Sequence, residues 1–212
     1  MINIIVGPPG TGKTTELLNI CQQKKEQGVP WERIGFFSFS KKAAYEAKDR
    51  ARHKFQASRD DLTHFRTLHS FAFRHLAVKE DNLMKQKHWK ELSSKVGFNL
   101  VFNDNDDSVY TNSNHQFINL INKARLKDIS LAEEVRLYPD PINMVKLDYL
   151  NRVINKYKKV NELYDYTDMI VDYTTDTVST QFDVLFIDEA QDMPRVQYNM
   201  VDKLISNSKE VY

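Results

Sequence analysis

Apolar residues fall in short runs near both ends of the chain and at helical spacing through its middle. Ile2-Asn3-Ile4-Ile5-Val6 is nearly continuous, the pattern of a parallel strand buried on both faces. It leads into a glycine-rich turn, after which Thr14 to about Lys25 reads as a helix closed by Gly28-Val29-Pro30. Ile34 to Phe39 reads as a second strand and Lys41 to about Phe55 as an amphipathic helix. His64 to Thr67 is a further short strand, followed by a helix through Phe71 and Leu76. The alternation predicts an α/β fold, a parallel sheet with helices on its faces.

From about Ala77 to Val160 the strand signals fade, and helical candidates appear near 82–95, 115–126 and 141–159. In the last, Ile142, Val145, Leu150, Val153, Ile154 and Tyr157 recur mostly three or four apart, and Pro141 suits a first helical turn. The polar run Asn103 to Asp107 lacks the glycine and distant glutamate of a calcium loop and reads as a solvated loop. Residues 77–160 therefore read as a helical insertion between a first part, 1–76, and a second, 161–212. Phe182 to Ile187 restores the buried-strand pattern, and Lys209 to Tyr212 looks like the start of another strand. The sheet is expected to continue past Tyr212.

Composition adds limits. The 212 residues are 41% hydrophobic and 28% charged, ordinary for a soluble globular protein. No apolar run approaches the roughly 20 residues of a membrane span, and no signal-peptide pattern opens the chain. The single Cys21 excludes an internal disulfide, and the six histidines show no metal-ligand spacing with it, so no zinc site is expected. The net charge of +1 conceals an asymmetry: residues 1–100 carry 18 Lys and Arg against 10 Asp and Glu, residues 101–212 carry 12 against 19. A basic half fits phosphate contacts and also fits solvated helix faces, so charge alone decides nothing.

Gly7-Pro8-Pro9-Gly10-Thr11-Gly12-Lys13-Thr14-Thr15 contains the spacing G-x-x-x-x-G-K-[ST], after a predicted strand and before a predicted helix. Glycines let the backbone curl so that successive N–H groups point inward, and the helix N-terminus adds its positive dipole end. Lys13 would reach the β- and γ-phosphates of a nucleoside triphosphate, and the Thr14 hydroxyl would hold Mg²⁺. Such a cradle needs a carboxylate for the metal and a group for the attacking water. Asp188 and Glu189, directly after the Phe182 run, supply both: Asp188 for Mg²⁺ and Glu189 for the water. A lone Asp-Glu pair is more often a charge pair at a helix start; the cradle tips the reading.

Ile187-Asp-Glu-Ala-Gln-Asp-Met193 with Gln197-Tyr198 resembles motif II of UvrD/Rep/PcrA-type superfamily 1 DNA helicases. Three further stretches are similar to that family in its order: Phe37 to Ala44, Thr67-Leu68-His69-Ser70-Phe71, and Asp165 to Ile170. The resemblance implies a RecA-like P-loop lobe (1A) interrupted by a helical subdomain (1B). It also implies ATP and Mg²⁺ as cofactors and Gln191 as the residue coupling nucleotide to DNA. Single-stranded DNA would be contacted by Ser38, Phe39, Ser40, Lys41, Thr67 and His69. On that resemblance the chain is the front part of an ATP-dependent 3′→5′ helicase of the cytoplasm, or of the nucleus in a eukaryote. It would act on single strands and DNA junctions in repair or replication, and would need a second RecA-like lobe. The residues leave open the motor of a helicase–nuclease, and a non-catalytic nucleotide- or DNA-binding module.

Overall fold

The computed structural model describes residues 1–8, 10–98, 100 and 116–212. Pro9 of the glycine-rich turn and the polar run 103–107 lie outside the described residues. Helices occupy α1 (Lys13–Glu26), α2 (Lys41–Phe55), α3 (Leu68–His75), α4 (Gln86–Val96), α5 (Gln116–Lys127), α6 (Leu131–Arg136), α7 (Met144–Val160), α8 (Tyr166–Thr175) and α9 (Arg195–Ser206). Strands are β1 (Ile34–Ser38), β2 (Phe65–Thr67), β3 (Phe182–Asp188) and β4 (Ser208–Val211). The chain divides into two compact units: Met1–His75 with Asp172–Met193 and Gln197–Tyr212, and Leu76–Val171 with Pro194–Val196.

The first unit is built on a four-stranded parallel sheet in the order β2-β1-β3-β4. This is the α/β arrangement that the run-and-turn pattern predicts, and it fits the RecA-like lobe that the resemblance implies. β1 is buried along its whole length and has a strand on each side. One face carries an aromatic row across the strands. Phe36 stacks on Phe65 at 5.0 Å and on Phe186 at 5.7 Å, and Phe186 stacks on Tyr212 at 5.4 Å. The row follows from the register, which aligns Phe36 with both Phe65 and Phe186. Leu17, Leu18 and Cys21 of α1 and Ala47 and Ala51 of α2 share that core. The alanines on the buried stripe of α2 are small enough to let its backbone approach the strands closely.

Two sequence expectations are corrected here. The strand expected over Ile2–Val6 forms only one bridge, Ile2 with Val211, through Asn3 N–H to Val211 O at 2.8 Å and Val211 N–H to Met1 O at 3.0 Å. Ile2, Ile4 and Val6 are exposed. Pro141 does not open α7. The Asn143 side chain accepts from Lys146 N–H at 3.0 Å and caps the helix, which starts at Met144.

In the second unit, α4, α5 and α7 bury Trp89, Leu92, Ile118, Ile121, Leu147, Leu150 and Ile154 in one cluster. A charged square sits beside it. Arg125 binds both oxygens of Asp165, at 2.6 and 3.0 Å, and Asp168 at 2.7 Å; Lys158 binds both aspartates at 2.8 Å. Asp165 and Asp168 also cap α8 reciprocally, each accepting from the other's backbone N–H at 2.9 Å. Burial alone would push the Asp165 carboxyl up, but Arg125 and Lys158 outweigh it and hold it well below the usual carboxylate range. Among the described residues no helix is long and apolar enough to cross a membrane.

Candidate functional site

At the carboxyl ends of β1 and β3 lies a cleft of about 390 Å³ lined by Gly10, Gly12, Lys13, Thr14, Asp188 and Glu189 among others. Open parallel sheets bind ligands at this end, where strands hand over to helices. The glycine-rich loop is shaped by what only glycine tolerates there. Gly10 and Gly12 have φ of 79° and 83°, and a Cβ on Gly7 would stand 2.6 Å from the Thr11 hydroxyl oxygen. Gly12 ends the loop and α1 begins at Lys13, so the unbonded first-turn N–H groups of that helix open onto the cleft. The Thr11 hydroxyl donates to Pro8 O at 2.8 Å and ties the loop to itself.

Lys13 Nζ donates to the carbonyls of Gly7 at 3.0 Å and Pro8 at 3.2 Å, so its charge is held over the loop. The Thr14 hydroxyl donates to Asp188 Oδ2 at 2.9 Å. Asp188 is 3% exposed at the end of β3, and burial pushes its carboxyl above the ordinary carboxylate value. The Thr14 hydrogen bond pulls it back down and the neighbouring Glu189 charge raises it further. A hydroxyl and a carboxylate oxygen facing each other form the hard-oxygen pair that suits Mg²⁺, and the free first-turn N–H groups of α1 suit phosphate. The residues present therefore fit Mg²⁺ and a nucleoside triphosphate.

Glu189 is a non-glycine residue in the left-handed region, φ 56° and ψ 41°. That conformation costs roughly 1 kcal/mol and is held by a turn in which Asp192 N–H donates to Glu189 O at 3.1 Å. Gln191 Nε2 donates to the Glu189 carboxylate and, at 3.3 Å, to Asp192 Oδ2. Sequence reasoning missed the opposite wall of the cleft. Glu46 and Arg50 of α2 line it as an ion pair, and their i,i+4 spacing was the available signal.

The residues assigned to DNA from the resemblance divide by depth. Ser38 has no accessible surface, and Thr67 and His69 are 6% and 8% exposed. Thr67 Oγ1 accepts from Ser70 N–H at 3.2 Å in the first turn of α3. Phe39 and Ser40 are half-buried, Lys41 is exposed, and Ser40 caps α2 by accepting from Ala43 N–H at 3.1 Å. The structure thus gathers Lys13, Thr14, Asp188 and Glu189 in one cleft and leaves Phe39 to Lys41 at the end of the central strand.

The family described as UvrD/REP helicase N-terminal domain matches residues 2–212. A curated relative from Mycoplasma genitalium, named a probable DNA helicase II homolog, is 26% identical over 231 aligned positions. The alignment covers 100% of this chain and 33% of the relative, so the chain spans about a third of that protein's length. With the family match running almost end to end, the chain belongs to the UvrD/REP helicase N-terminal domain family.

Proposed function

We propose that this chain is the ATP- and single-stranded-DNA-binding part of an ATP-dependent DNA helicase that moves 3′→5′. Hydrolysis would drive translocation and unwinding in the full-length protein. The observation that carries the reading is the Thr14–Asp188 hydrogen bond, which brings the glycine-rich loop and the acidic strand end to one cleft. Family membership and the name of the M. genitalium relative support the motor role.

Mg²⁺ bound there supplies neutralising charge to the phosphate oxygens. Thr14 and Asp188 would hold it, and Lys13 would exchange the Gly7 and Pro8 carbonyls for phosphate oxygens, which are charged and stronger acceptors. Glu189 takes the proton of the attacking water as its oxygen bonds to the γ-phosphorus and ADP leaves with the bridging oxygen. Gln191, bonded to the Glu189 carboxylate, links that base to the surface of the lobe. Phe39 offers a ring to a base and Lys41 a cation to a phosphate, while Thr67 and His69 brace the neighbouring strand end. A second RecA-like lobe of the full-length protein would complete the nucleotide site.

Replacing Glu189 with Gln in the full-length protein tests the assignment. DNA-stimulated ATP hydrolysis is expected to fall by about 10²-fold or more while nucleotide binding persists. Undiminished turnover would overturn it.

A further inference from the structure

β2 is an outer strand of the sheet, so the edge beyond Arg66 carries no further strand among the described residues. The register that pairs Phe37 with Arg66 puts both side chains on one face of the sheet, where Phe37 meets Phe71 of α3 at 5.0 Å. Arg74 lies three residues on from Phe71, on the same side of α3. α2 covers the other face through Ala47 and Ala51, and Lys48 borders that stripe, half-buried. The charges meet around the open edge: Arg66, Arg74 and Arg59 repel Lys48, and Arg74 repels Arg66.

Arg66 is 9% exposed, and its Nε donates to Thr63 O at 2.6 Å. Among the described residues neither it, Lys48 nor Arg74 makes an ion pair; Asp60 attracts Lys48 without reaching it. Burial, with the Arg74 charge adding to it, pushes the Arg66 pKa down to about 10, so the guanidinium stays charged at neutral pH. A buried arginine is almost always paired, and this one is ringed by like charges. What the notch lacks is an anion.

The two flanking helices both start at strand ends assigned above to DNA. Lys41 opens α2, and Thr67 caps α3 through Ser70 N–H. Lys48 and Arg74 each lie seven residues further on, two turns along the same side of the helix and about 10 Å away. Arg66 sits between them, next to Thr67. The cations thus continue a line that begins at Phe39 and Lys41, and a chain bearing an anion at regular intervals would meet them in turn. A nucleic-acid backbone is such a chain, and the planar fork of arginine matches two phosphate oxygens.

We propose that Arg66, Arg74 and Lys48 form a phosphate site at the open edge of β2, which holds the backbone of the bound single strand beyond its contacts at Phe39 and Lys41. This rests on the single-stranded-DNA reading above. The site touches no base, so it binds every sequence alike and releases counterions as it fills.

The test is fluorescence anisotropy of labelled oligo(dT) on the full-length protein across a range of NaCl concentrations. The variants are Arg66→Gln, the pair Lys48→Gln with Arg74→Gln, and Phe39→Ala, with melting temperatures in chloride and in inorganic phosphate. Arg66→Gln and the pair should each weaken binding roughly three- to tenfold and flatten the slope of log Kd against log salt by about 0.7, one phosphate's share on a single strand. Both should melt at or above wild type in chloride, because a repulsion has been removed. Phe39→Ala should weaken binding and keep the slope, since it removes stacking and no charge. Unchanged affinity and slope in Arg66→Gln and in the pair, with Phe39→Ala still weakened, overturn the proposal and leave the DNA reading standing. If those variants lose only a stabilisation by inorganic phosphate, the notch serves a free anion and the proposal also fails. It fails again if the pair, whose residues lie nearer the surface than Arg66, melts several degrees below wild type, which would reveal existing partners. A wild type that does not bind oligo(dT) overturns the DNA reading and this proposal together.

Discussion

Lys158 Nζ lies 2.8 Å from both Asp165 and Asp168 with only 6% of its side chain exposed, a lysine committed to two carboxylates seven and ten residues further along. With Arg125 it balances two negative charges by two positive ones, and the four groups join α5, α7 and the capped start of α8. Removing one member leaves a buried charge unmatched. Lys158→Met is expected to destabilise the helical unit by about 3–5 kcal/mol. Adding Asp168→Asn to Lys158→Met should recover part of that loss, giving a coupling of about 1 kcal/mol or more in a double-mutant cycle by urea denaturation. Additive effects would show that the square does not act as a unit.

His64 sits against the rings of Phe182 and Phe71, at 5.2 and 5.9 Å, with its Nδ1 buried and unpartnered. Burial pushes its pKa down to about 4, with the Arg66 charge adding to the effect. The folded protein therefore keeps His64 neutral where the unfolded chain, near 6.5, already takes a proton. Stability from this residue is full above about pH 6.5 and falls as pH drops from there toward about 4. The melting temperature should decline over that interval, and less steeply in His64→Gln, whatever that change costs at pH 8. Parallel pH profiles for the two proteins would refute the assignment.

Cys21 is fully buried in α1 and burial pushes its thiol up to about 12, against a smaller opposing pull from Lys54. The thiolate is the reactive form, so both supply of nucleophile and access are closed in the folded state. A disulfide reagent at pH 8 should leave the native protein unlabelled over hours and react stoichiometrically once denaturant is added. Rapid labelling of the native protein would place Cys21 elsewhere than in this core.

Contiguous patterns were legible in the sequence. The strand read over Ile34–Phe39 forms over Ile34–Ser38 and the helix read over Lys41–Phe55 forms over that range, from an uninterrupted apolar run and a helical repeat. What failed depended on neighbours distant in sequence. Ile2–Val6 has a buried strand's composition but pairs only through Ile2 and Asn3, with Val211. The depth of Ser38 is set by β2 and β3, and nothing in its own segment announces it. Helix α6 was missed although local chemistry marked it. Ser130 and Glu133 form a capping box there, with Glu133 N–H to Ser130 Oγ at 3.2 Å and Ser130 N–H to Glu133 Oε2 at 2.8 Å. The Asp165–Ile170 stretch, noticed for its resemblance, proved to carry a cap and an ion square that spacing alone does not reveal.

The bridge between Ile2 and Val211 sets a schedule for the growing polypeptide. The residues leading into the glycine-rich loop leave the ribosome well before Val211, 208 residues beyond Asn3, gives their backbone a partner. At ordinary rates of synthesis that delay is roughly 10–40 s. The nucleotide cradle is thus made well before β4 anchors the segment ahead of it to the sheet.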